Sequence, residues 1–186
     1  FPSMLFMGEE WGATSPFQYF TDHTDPELGA AVTAGRKREF GTHGWAQLYG
    51  EDVEIPDPQE SETFLRSHLD WDELAGSDHQ RLLTWHRDLI ALRAHEPALT
   101  TAERDFTGVK VDPQGTWVVL ERFGPGAASV GVVVNLSDET ALVPVAASEV
   151  LLSFDDEQTL AVSPGRVQVP PRGVALLRLT SRMGSD

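Results

Sequence analysis

The chain contains no cysteine among its 186 residues, which excludes disulfide bonds and thiolate-bound metals. This absence is what we expect of a cytoplasmic protein. Basic residues are also scarce, since 14 Lys and Arg stand against 29 Asp and Glu, for a formal net charge of −15. Such an excess disfavours nucleic acids and anionic membranes as partners. The acidic excess does not argue against neutral ligands. Its simplest interpretation is an adaptation of the surface to solubility or salt.

Long apolar runs and metal-binding patterns are missing as well. No stretch approaches the roughly 18 apolar residues that span a bilayer. The 6 His residues show no HxxxH or HExxH spacing, and His79 and His86, on one predicted helical face, lack a third ligand. Asp155-Asp156-Glu157 lacks the alternation and the glycine of an EF-hand loop, which favours an exposed turn. We therefore expect no metal and no cofactor.

The chain opens with a short apolar run, residues 1–7, that stops at Gly8-Glu9-Glu10-Trp11. A buried strand of a parallel sheet has this composition because both of its faces are covered. We expect a strand here, with the two carboxylates at its carboxyl end, where α/β barrels hold their active sites. A parallel strand needs neighbours. The sequence is therefore interpreted as the tail of a larger enzyme that begins near the last strand of a barrel.

Capping signals predict two helices in the first part of the chain. Asp25-Pro26 is typical of a helix start, and apolar spacing continues to about Phe40, with Gly41 as the end. Asp57 and Glu60 have the capping-box spacing, which predicts a short helix after them.

The clearest helix begins at Ser77, which forms a second capping-box pair with Gln80, and Pro97 ends it. Four apolar residues recur on one face of this helix and are expected to face barrel strands: Leu82, Leu83, Leu89 and Ile90.

After about residue 103 the chain becomes rich in short β-type runs, at 106–111, 116–123, 129–136, 140–145, 149–154, 158–162, 166–169 and 173–179. Turn formers such as Asp112-Pro113-Gln114-Gly115 separate them. Short strands at this spacing predict an antiparallel β-sandwich. We therefore expect two parts. Residues 1–100 form the C-terminal end of a (β/α)8 TIM barrel with a loop insertion, and residues 103–182 form a C-terminal β-sandwich.

The motifs resemble a known family. Pro2 to Gly12 is similar to the eighth-strand segment of the α-amylase superfamily. The continuation Ser15-Pro16-Phe17-Gln18-Tyr19-Phe20-Thr21-Asp22-His23-Thr24-Asp25-Pro26-Glu27-Leu28 is narrower and resembles the maltooligosyltrehalose trehalohydrolase family. Segments 35–40, 56–58 and 63–71 extend this likeness over about the first hundred residues. The rest matches the C-terminal β-domains of amylases only in general character.

The resemblance implies a glycoside hydrolase. Such an enzyme cleaves the α-1,4-glucosidic bond next to the terminal trehalose of maltooligosyl trehalose, in trehalose biosynthesis, so that compound or a related α-glucan is the expected partner. In the superfamily, three catalytic carboxylates come from barrel strands four, five and seven. A chain that begins after strand seven would lack all three. We therefore expect no catalytic residue in this chain and no activity of it alone.

The loop after the predicted strand carries the candidate substrate-binding residues. Flat aromatic side chains offer sugar rings a large contact area at little entropic cost. Four aromatic residues fall within ten positions here, although about half of them would serve loop packing alone. The candidates are Glu10, Trp11, Phe17, Tyr19, Phe20, Asp22 and His23.

Several roles in this loop stay open. Adjacent side chains of an extended segment point to opposite faces, so Glu9 and Glu10 do not suit an acid–base pair. We expect Glu10 to face inward, and the alternative for both is a hydrogen-bonded rim between loops. His23 could bind a sugar hydroxyl, cap the next helix or stay solvated.

Two other functions remain possible from the sequence. A glycogen debranching or branching relative shares the Met-Gly-x-Glu strand, but its loop is expected to lack Phe17-x-Tyr19-Phe20-x-Asp22-His23. A non-catalytic carbohydrate-binding module needs only the sandwich and leaves residues 1–100 without a role.

Overall fold

The computed structural model describes residues 3–42, 55–101, 104–123, 128–154 and 160–180. The chain divides into two compact units. The N-terminal unit is Leu5–Leu82, and the β unit consists of Phe1–Met4 and Leu83–Asp186. None of the helices in the described ranges has the length and apolarity that a bilayer crossing requires.

The helical elements are short, apart from two. The α-helices of the described ranges are α1 (Pro26–Thr42), α2 (Ser61–Arg66), α3 (Ser77–His95) and α4 (Pro97–Thr100). Short 3₁₀ helices lie at Glu9–Trp11, Trp71–Ala75 and Arg104–Phe106.

The strand predicted for the first residues is not formed, and this expectation was wrong for the residues that the structure describes. Residues 3–6 have no regular secondary structure, and the chain turns at Met7 and Gly8. Met4 is 87% exposed, which is the opposite of a strand covered on both faces. The physical reason is pairing: a strand exists only beside a hydrogen-bonded neighbour, and no strand of the described residues pairs with this segment.

Helix α1 starts as predicted and ends slightly later. Asp25 Oδ1 accepts hydrogen bonds from the backbone N–H groups of Glu27 at 2.9 Å and Leu28 at 3.4 Å, as an N-cap does. The helix continues through Gly41 to Thr42. Glycine weakens a helix by about 1 kcal/mol relative to alanine but does not forbid it, so Gly41 alone was not a stop signal.

The two predicted capping boxes do not form. Helix α2 begins at Ser61, and Asp57 instead shapes the turn before it, where Glu60 N–H donates to the Asp57 carbonyl at 3.2 Å. Helix α3 does begin at Ser77, but Gln80 N–H donates to the Gly76 carbonyl at 3.0 Å. Ser77 is therefore the first helical residue, whereas a capping box needs it one position outside the helix.

The described residues of the β unit form eight strands, close to the predicted runs: β1 (Thr107–Val111), β2 (Trp117–Arg122), β3 (Val130–Asn135), β4 (Ala141–Val143), β5 (Ala147–Ser153), β6 (Ala161–Ser163), β7 (Arg166–Val169) and β8 (Val174–Leu179). They form a five-stranded sheet in the order β1-β2-β3-β8-β5 and a three-stranded sheet in the order β4-β7-β6. Every described pairing is antiparallel, so the predicted antiparallel β architecture is confirmed.

The core of the β unit follows from alternation along the strands. In β2, Trp117 and Val119 are buried while Leu120 is exposed, which places one face of the sheet inward. Val133 of β3 and Leu177 of β8 are fully buried on the same face. Each such side chain contributes about 1.5–3 kcal/mol through removal of apolar surface from water.

A buried amide joins β3 to a later turn. Asn135 is 1% exposed, and its Nδ2 donates to the carbonyls of Glu139 at 2.7 Å, Val169 at 3.2 Å and Pro170 at 2.8 Å. Its Oδ1 accepts from the backbone N–H of Ser137 at 3.0 Å. A buried side chain with this many partners holds its neighbours in one arrangement.

Helix α3 is less covered than its apolar face predicts. Leu82, Leu83 and Leu89 are half-buried, and Ile90 is 60% exposed. The described residues contain no barrel strand that could cover this face, so its packing against barrel strands stays a prediction. Trp85 of the same helix does find a partner, since its ring meets that of Phe154 edge-on at 5.5 Å.

Candidate functional site

Two glycines fix the turn that carries the adjacent carboxylates. Gly8 and Gly12 flank the 3₁₀ helix Glu9–Trp11 with φ values of 80° and 68°. Only glycine adopts this left-handed conformation at little cost. Gly8 is also buried, and a Cβ atom there would lie 2.6 Å from Ala13 Cβ and 2.8 Å from Leu69 Cδ2. Glycine is thus required at position 8 for both conformation and space.

Glu9 and Glu10 lie in this 3₁₀ turn and not on the extended segment that the sequence predicted. Glu9 is exposed, and its Oε2 accepts a hydrogen bond from Phe6 N–H at 2.9 Å. Glu10 is half-buried. Because a 3₁₀ helix has three residues per turn, successive side chains point in different directions, and the two carboxylates diverge.

Trp11 is covered and supports a second tryptophan. Its side chain is 3% exposed, and its ring lies 5.1 Å from that of Trp71 at an angle of 39°. Among the residues that the structure describes, the buried Nε1 has no hydrogen-bond partner. The Trp11 carbonyl lies 2.8 Å from His79 Nδ1. Trp11 is therefore too buried to meet a ligand itself, and its ring supports the exposed ring of Trp71.

The loop after Gly12 is tied at its start to the 3₁₀ helix Trp71–Ala75. The backbone N–H of Thr14 lies 3.2 Å from both carboxylate oxygens of Glu73, and the Thr14 hydroxyl donates to the same carboxylate. That hydroxyl is the main reason why the pKa of Glu73 is lowered. Asp70 N–H donates to Ser15 Oγ at 3.3 Å, which adds a second link.

Gln59 ties down the end of the same loop. Its Oε1 accepts from Thr21 Oγ1 at 2.6 Å and from His23 N–H at 3.0 Å, and its Nε2 donates to the His23 carbonyl at 3.1 Å. Thr21 N–H donates to the Pro58 carbonyl at 2.8 Å. Between these anchors, Gln18 N–H donates to Ser67 Oγ at 3.1 Å. The loop is thus held at both ends and at its centre.

The exposed aromatic residues form a row of edge-to-face contacts. Ring centroids are 4.9 Å apart for Phe6 and Phe17, 6.2 Å for Phe17 and Phe20, 5.0 Å for Phe20 and Phe64, and 4.3 Å for Phe64 and His68. This arrangement is favoured by ring quadrupoles, by about 0.5–1.5 kcal/mol per pair. The rings therefore brace one another.

These rings border an open cleft of about 410 Å³, which we name the aromatic cleft. It is lined by Met7, Phe17, Phe20, Phe64, Ser67, His68, Leu69 and Trp71. Trp71 is 64% exposed and Phe17 is 59% exposed, so much of the lining is open to a ligand. Ligand-binding clefts have volumes of about 300–1,000 Å³, and this one falls within that range.

The structure brings only some of the predicted site residues to this cleft. Phe17 and Phe20 line it, whereas Tyr19 stacks against the guanidinium of Arg36 at 5.3 Å from the ring centroid. Asp22 and His23 are not part of the lining. His23 is fixed through its backbone, by the hydrogen bonds to Gln59.

Sequence reasoning missed three of the ring-bearing residues at the cleft. Phe64, His68 and Trp71 come from α2 and the segment after it. Their spacing of i, i+4 and i+7 is the pattern of one helical face, and that signal could have grouped them. In the described ranges, no group of three or more His, Asp or Glu side chains could hold a metal ion.

Comparison with known proteins gives these features a family context. Residues 104–176 match a family described as "Domain of unknown function (DUF3459)". The chain is 42% identical over 178 residues to a malto-oligosyltrehalose trehalohydrolase of Rhizobium sp. (strain M-11), with 96% of this chain and 28% of that protein covered. It is 45% identical over 151 residues to the protein of that name from Mycobacterium tuberculosis (strain CDC 1551 / Oshkosh), with 81% and 24% covered.

Solved structures show the same architecture. A 1.4 Å crystal structure from Salmonella typhimurium, provisionally assigned as an α-amylase, matches with a TM-score of 0.72 and 28% identity, over 93% of this chain and 27% of that one. A trehalulose synthase from Pseudomonas mesoacidophila MX-45 matches with a TM-score of 0.56 over 95% of this chain and 35% of that one; at 16% identity, it supports the fold alone.

The fold and the sequence therefore make this chain a relative of the α-amylase superfamily of glycoside hydrolases. Within that superfamily it is homologous to the malto-oligosyltrehalose trehalohydrolases, and the resemblance indicated by its motifs is confirmed. The chain spans about a quarter of the length of these relatives, which are covered to 28% and 24%.

Proposed function

We propose that this chain is the C-terminal part of a glycoside hydrolase that cleaves the α-1,4-glucosidic bond next to the terminal trehalose of maltooligosyl trehalose and releases trehalose. The observation that carries the proposal is the identity of 42% over 96% of the chain to a relative whose name describes this reaction. The neutral substrate is compatible with the net charge of −15, because an uncharged sugar is not repelled by acidic residues.

In this proposal, residues 1–100 complete a (β/α)8 barrel with an inserted loop, and residues 103–182 form the β-sandwich that follows it. The exposure of the first apolar residues supports this arrangement, since Leu5, Phe6 and Met7 are 47%, 48% and 46% exposed. Apolar surface of this kind is normally covered by another part of a protein. Strands that precede this chain in the longer relatives would provide that cover.

The catalytic carboxylates then lie outside this chain. A retaining glycosidase needs a nucleophile and an acid about 5–5.5 Å apart on either side of the bond. Glu9 and Glu10 diverge, and Glu9 is occupied by the Phe6 N–H, so they do not supply such a pair. The chain's own contribution is to hold the substrate in place beside those carboxylates, since correct positioning is itself a large part of catalysis.

The substrate-binding set proposed from the sequence is Glu10, Trp11, Phe17, Tyr19, Phe20, Asp22 and His23. Phe17 and Phe20 are the members with open ring surface at the aromatic cleft. Trp11 serves by supporting Trp71. Tyr19, Asp22 and His23 belong to the same anchored loop, where they would meet sugar bound beyond the cleft.

Trehalose release from maltotriosyl trehalose tests the proposal. The comparison is between this chain alone and a longer polypeptide in which the preceding barrel segment of a relative is joined to it. We expect release only from the longer polypeptide. Release by the 186-residue chain alone would place the nucleophile and the acid within it, and the absence of release from both would reject the proposed reaction.

A further inference from the structure

We propose that the aromatic cleft is a binding subsite for a neutral α-glucan chain, in which Phe64 and Trp71 provide sugar-contacting rings beside Phe17 and Phe20. The inference deepens the proposed function and rests on it for the class of sugar. It adds two residues that lie outside the loop identified from the sequence. These residues come from α2 and the 3₁₀ helix Trp71–Ala75.

The rings of the cleft are already held in place before a ligand arrives. Phe64 is fixed between Phe20 at 5.0 Å and His68 at 4.3 Å. Trp71 leans on the buried ring of Trp11 at 5.1 Å, yet it remains 64% exposed. One side of the Trp71 indole is therefore supported while the rest is open. Binding to rings that are held in this way loses little side-chain entropy.

The loop that carries Phe17 and Phe20 is fixed by hydrogen bonds. Phe17 and Phe20 belong to the loop that Gln59 and Ser67 anchor, with Thr21 Oγ1 at 2.6 Å from Gln59 Oε1 and Gln18 N–H at 3.1 Å from Ser67 Oγ. The rings of the loop and the ring of Phe64 thus form one continuous aromatic lining, in which Phe20 and Phe64 meet edge-on at 5.0 Å. Such surfaces match the apolar faces of sugar rings, which present C–H groups.

The charge of the lining favours a neutral ligand. The chain carries 29 Asp and Glu, but none of the eight residues at the cleft is acidic, and none is Lys or Arg. His68 is the one titratable side chain in the lining. A charged ligand would find no Asp, Glu, Lys or Arg partner there, whereas a neutral glucan needs none.

Binding of maltoheptaose to the 186-residue chain, measured by isothermal titration calorimetry, tests the assignment. We expect Phe64→Ala and Trp71→Ala to weaken binding about tenfold each. Leu65→Ala is the matched control, because Leu65 is 50% exposed on the same helix and does not line the cleft. The Leu65→Ala variant should have a dissociation constant within about twofold of that of the unmodified chain. Equal affinity in all three variants, or no binding by the unmodified chain, would overturn the proposal.

A second pair of variants distinguishes a lost ring contact from a loss of folding. If an alanine variant melts at a lower temperature than the unmodified chain, binding is measured instead with the variants Phe64→Tyr and Phe64→Leu. The ring-bearing Tyr variant should bind maltoheptaose and the Leu variant should not, and equal affinity of the two would reject a ring contact.

Trehalose release by the longer polypeptide reports the reaction independently of the subsite. Ring-dependent maltoheptaose binding without release would leave the subsite in place and reject the reaction. Trehalose release without ring-dependent maltoheptaose binding would support the reaction and reject the subsite.

Discussion

Arg178 and Glu96 form a two-point ion pair, with Nη2 to Oε1 at 2.6 Å and Nη1 to Oε2 at 3.2 Å. Arg178 lies in β8, and Glu96 is the residue between α3 and α4. Both side chains are mostly covered, at 28% and 16% exposure. The Glu96 hydrogen bonds raise the pKa of Arg178 above its ordinary value, followed by those of Glu149. The pair fastens the end of α3 to an inner strand of the five-stranded sheet.

Glu96→Gln should therefore destabilise the β unit by about 1–2 kcal/mol, because it removes a charge-assisted contact from a poorly solvated site. Glu149→Gln is the matched control. Its carboxylate also contacts Arg178, at 3.1 Å, but is 59% exposed, and loss of such a pair costs about 0–1 kcal/mol. Urea unfolding gives both values, and a larger loss for Glu149→Gln would contradict the assignment.

Gly8→Ala should destabilise the N-terminal unit by about 2–4 kcal/mol, since it adds a clash to an unfavourable φ of 80°. Thermal unfolding followed by tryptophan fluorescence measures the loss. Gly115→Ala provides a control for conformation alone, because its φ is 73° and nothing lies within 4 Å of the added Cβ. It should cost only about 1–2 kcal/mol. Equal losses would show that the space around Gly8 can adjust.

Gln59→Ala should loosen the end of the loop that follows Gly12 without unfolding the N-terminal unit. The variant removes the acceptor of the His23 N–H and the donor to the His23 carbonyl. Amide hydrogen exchange at His23 should accelerate about tenfold, as expected for a net loss near 1.4 kcal/mol. Exchange at Gly12, whose N–H donates to the Glu9 carbonyl before the other end of the loop, should not change. Unchanged exchange at His23 would mean that another contact holds the loop.

The pKa of Asp57 is lowered, first by the hydroxyl of Thr33 at 2.6 Å and then by the Gln59 N–H at 3.0 Å. Because the folded pKa lies below the unfolded value of about 3.9, the carboxylate stabilises the fold above that pH. This contribution is lost as the pH falls through the lowered folded pKa.

Thr33→Val should raise the pKa of Asp57 toward its ordinary value, because it removes the largest of these contributions. A carbon-13 NMR titration of the carboxyl groups measures the shift. Asp112 is an internal control, since its lowered pKa depends first on the hydroxyl of Thr116 and should stay where it is. An unchanged pKa at Asp57 would mean that the Gln59 N–H and Lys37, and not the Thr33 hydroxyl, lower it.

The strands of the β unit could be predicted because the signals that mark them are local. Runs of apolar and β-branched residues in β2 and β3, with turn formers between the runs, mark each of these strands within a residue or two. The order of strands within the sheets did not follow from the pattern. Placing β8 between β3 and β5 depends on contacts between segments far apart in sequence.

The first residues and the aromatic cleft show the limits of sequence reasoning. A strand at residues 3–7 depends on neighbours that the described chain does not contain, so composition alone gave the wrong local structure. At the cleft, Phe17 and Phe20 were identified from their own loop. Phe64 and Trp71 meet them only after folding, because Gln59 and Ser67 bring that loop onto α2.

The position of β8 in the sheet also means that β3 and β5 must wait for their shared partner strand during synthesis. β3 ends at Asn135 and β8 ends at Leu179, yet the two are adjacent in the five-stranded sheet. A ribosome that adds about 5–20 residues per second needs several seconds to make the intervening stretch. During that interval β3, and β5 once it has been made, lack the partner strand β8 and present an unpaired edge to other nascent chains. Chaperone demand on this protein should therefore peak just before residue 174 emerges, and a slower passage through residues 136–173 would increase misassembly.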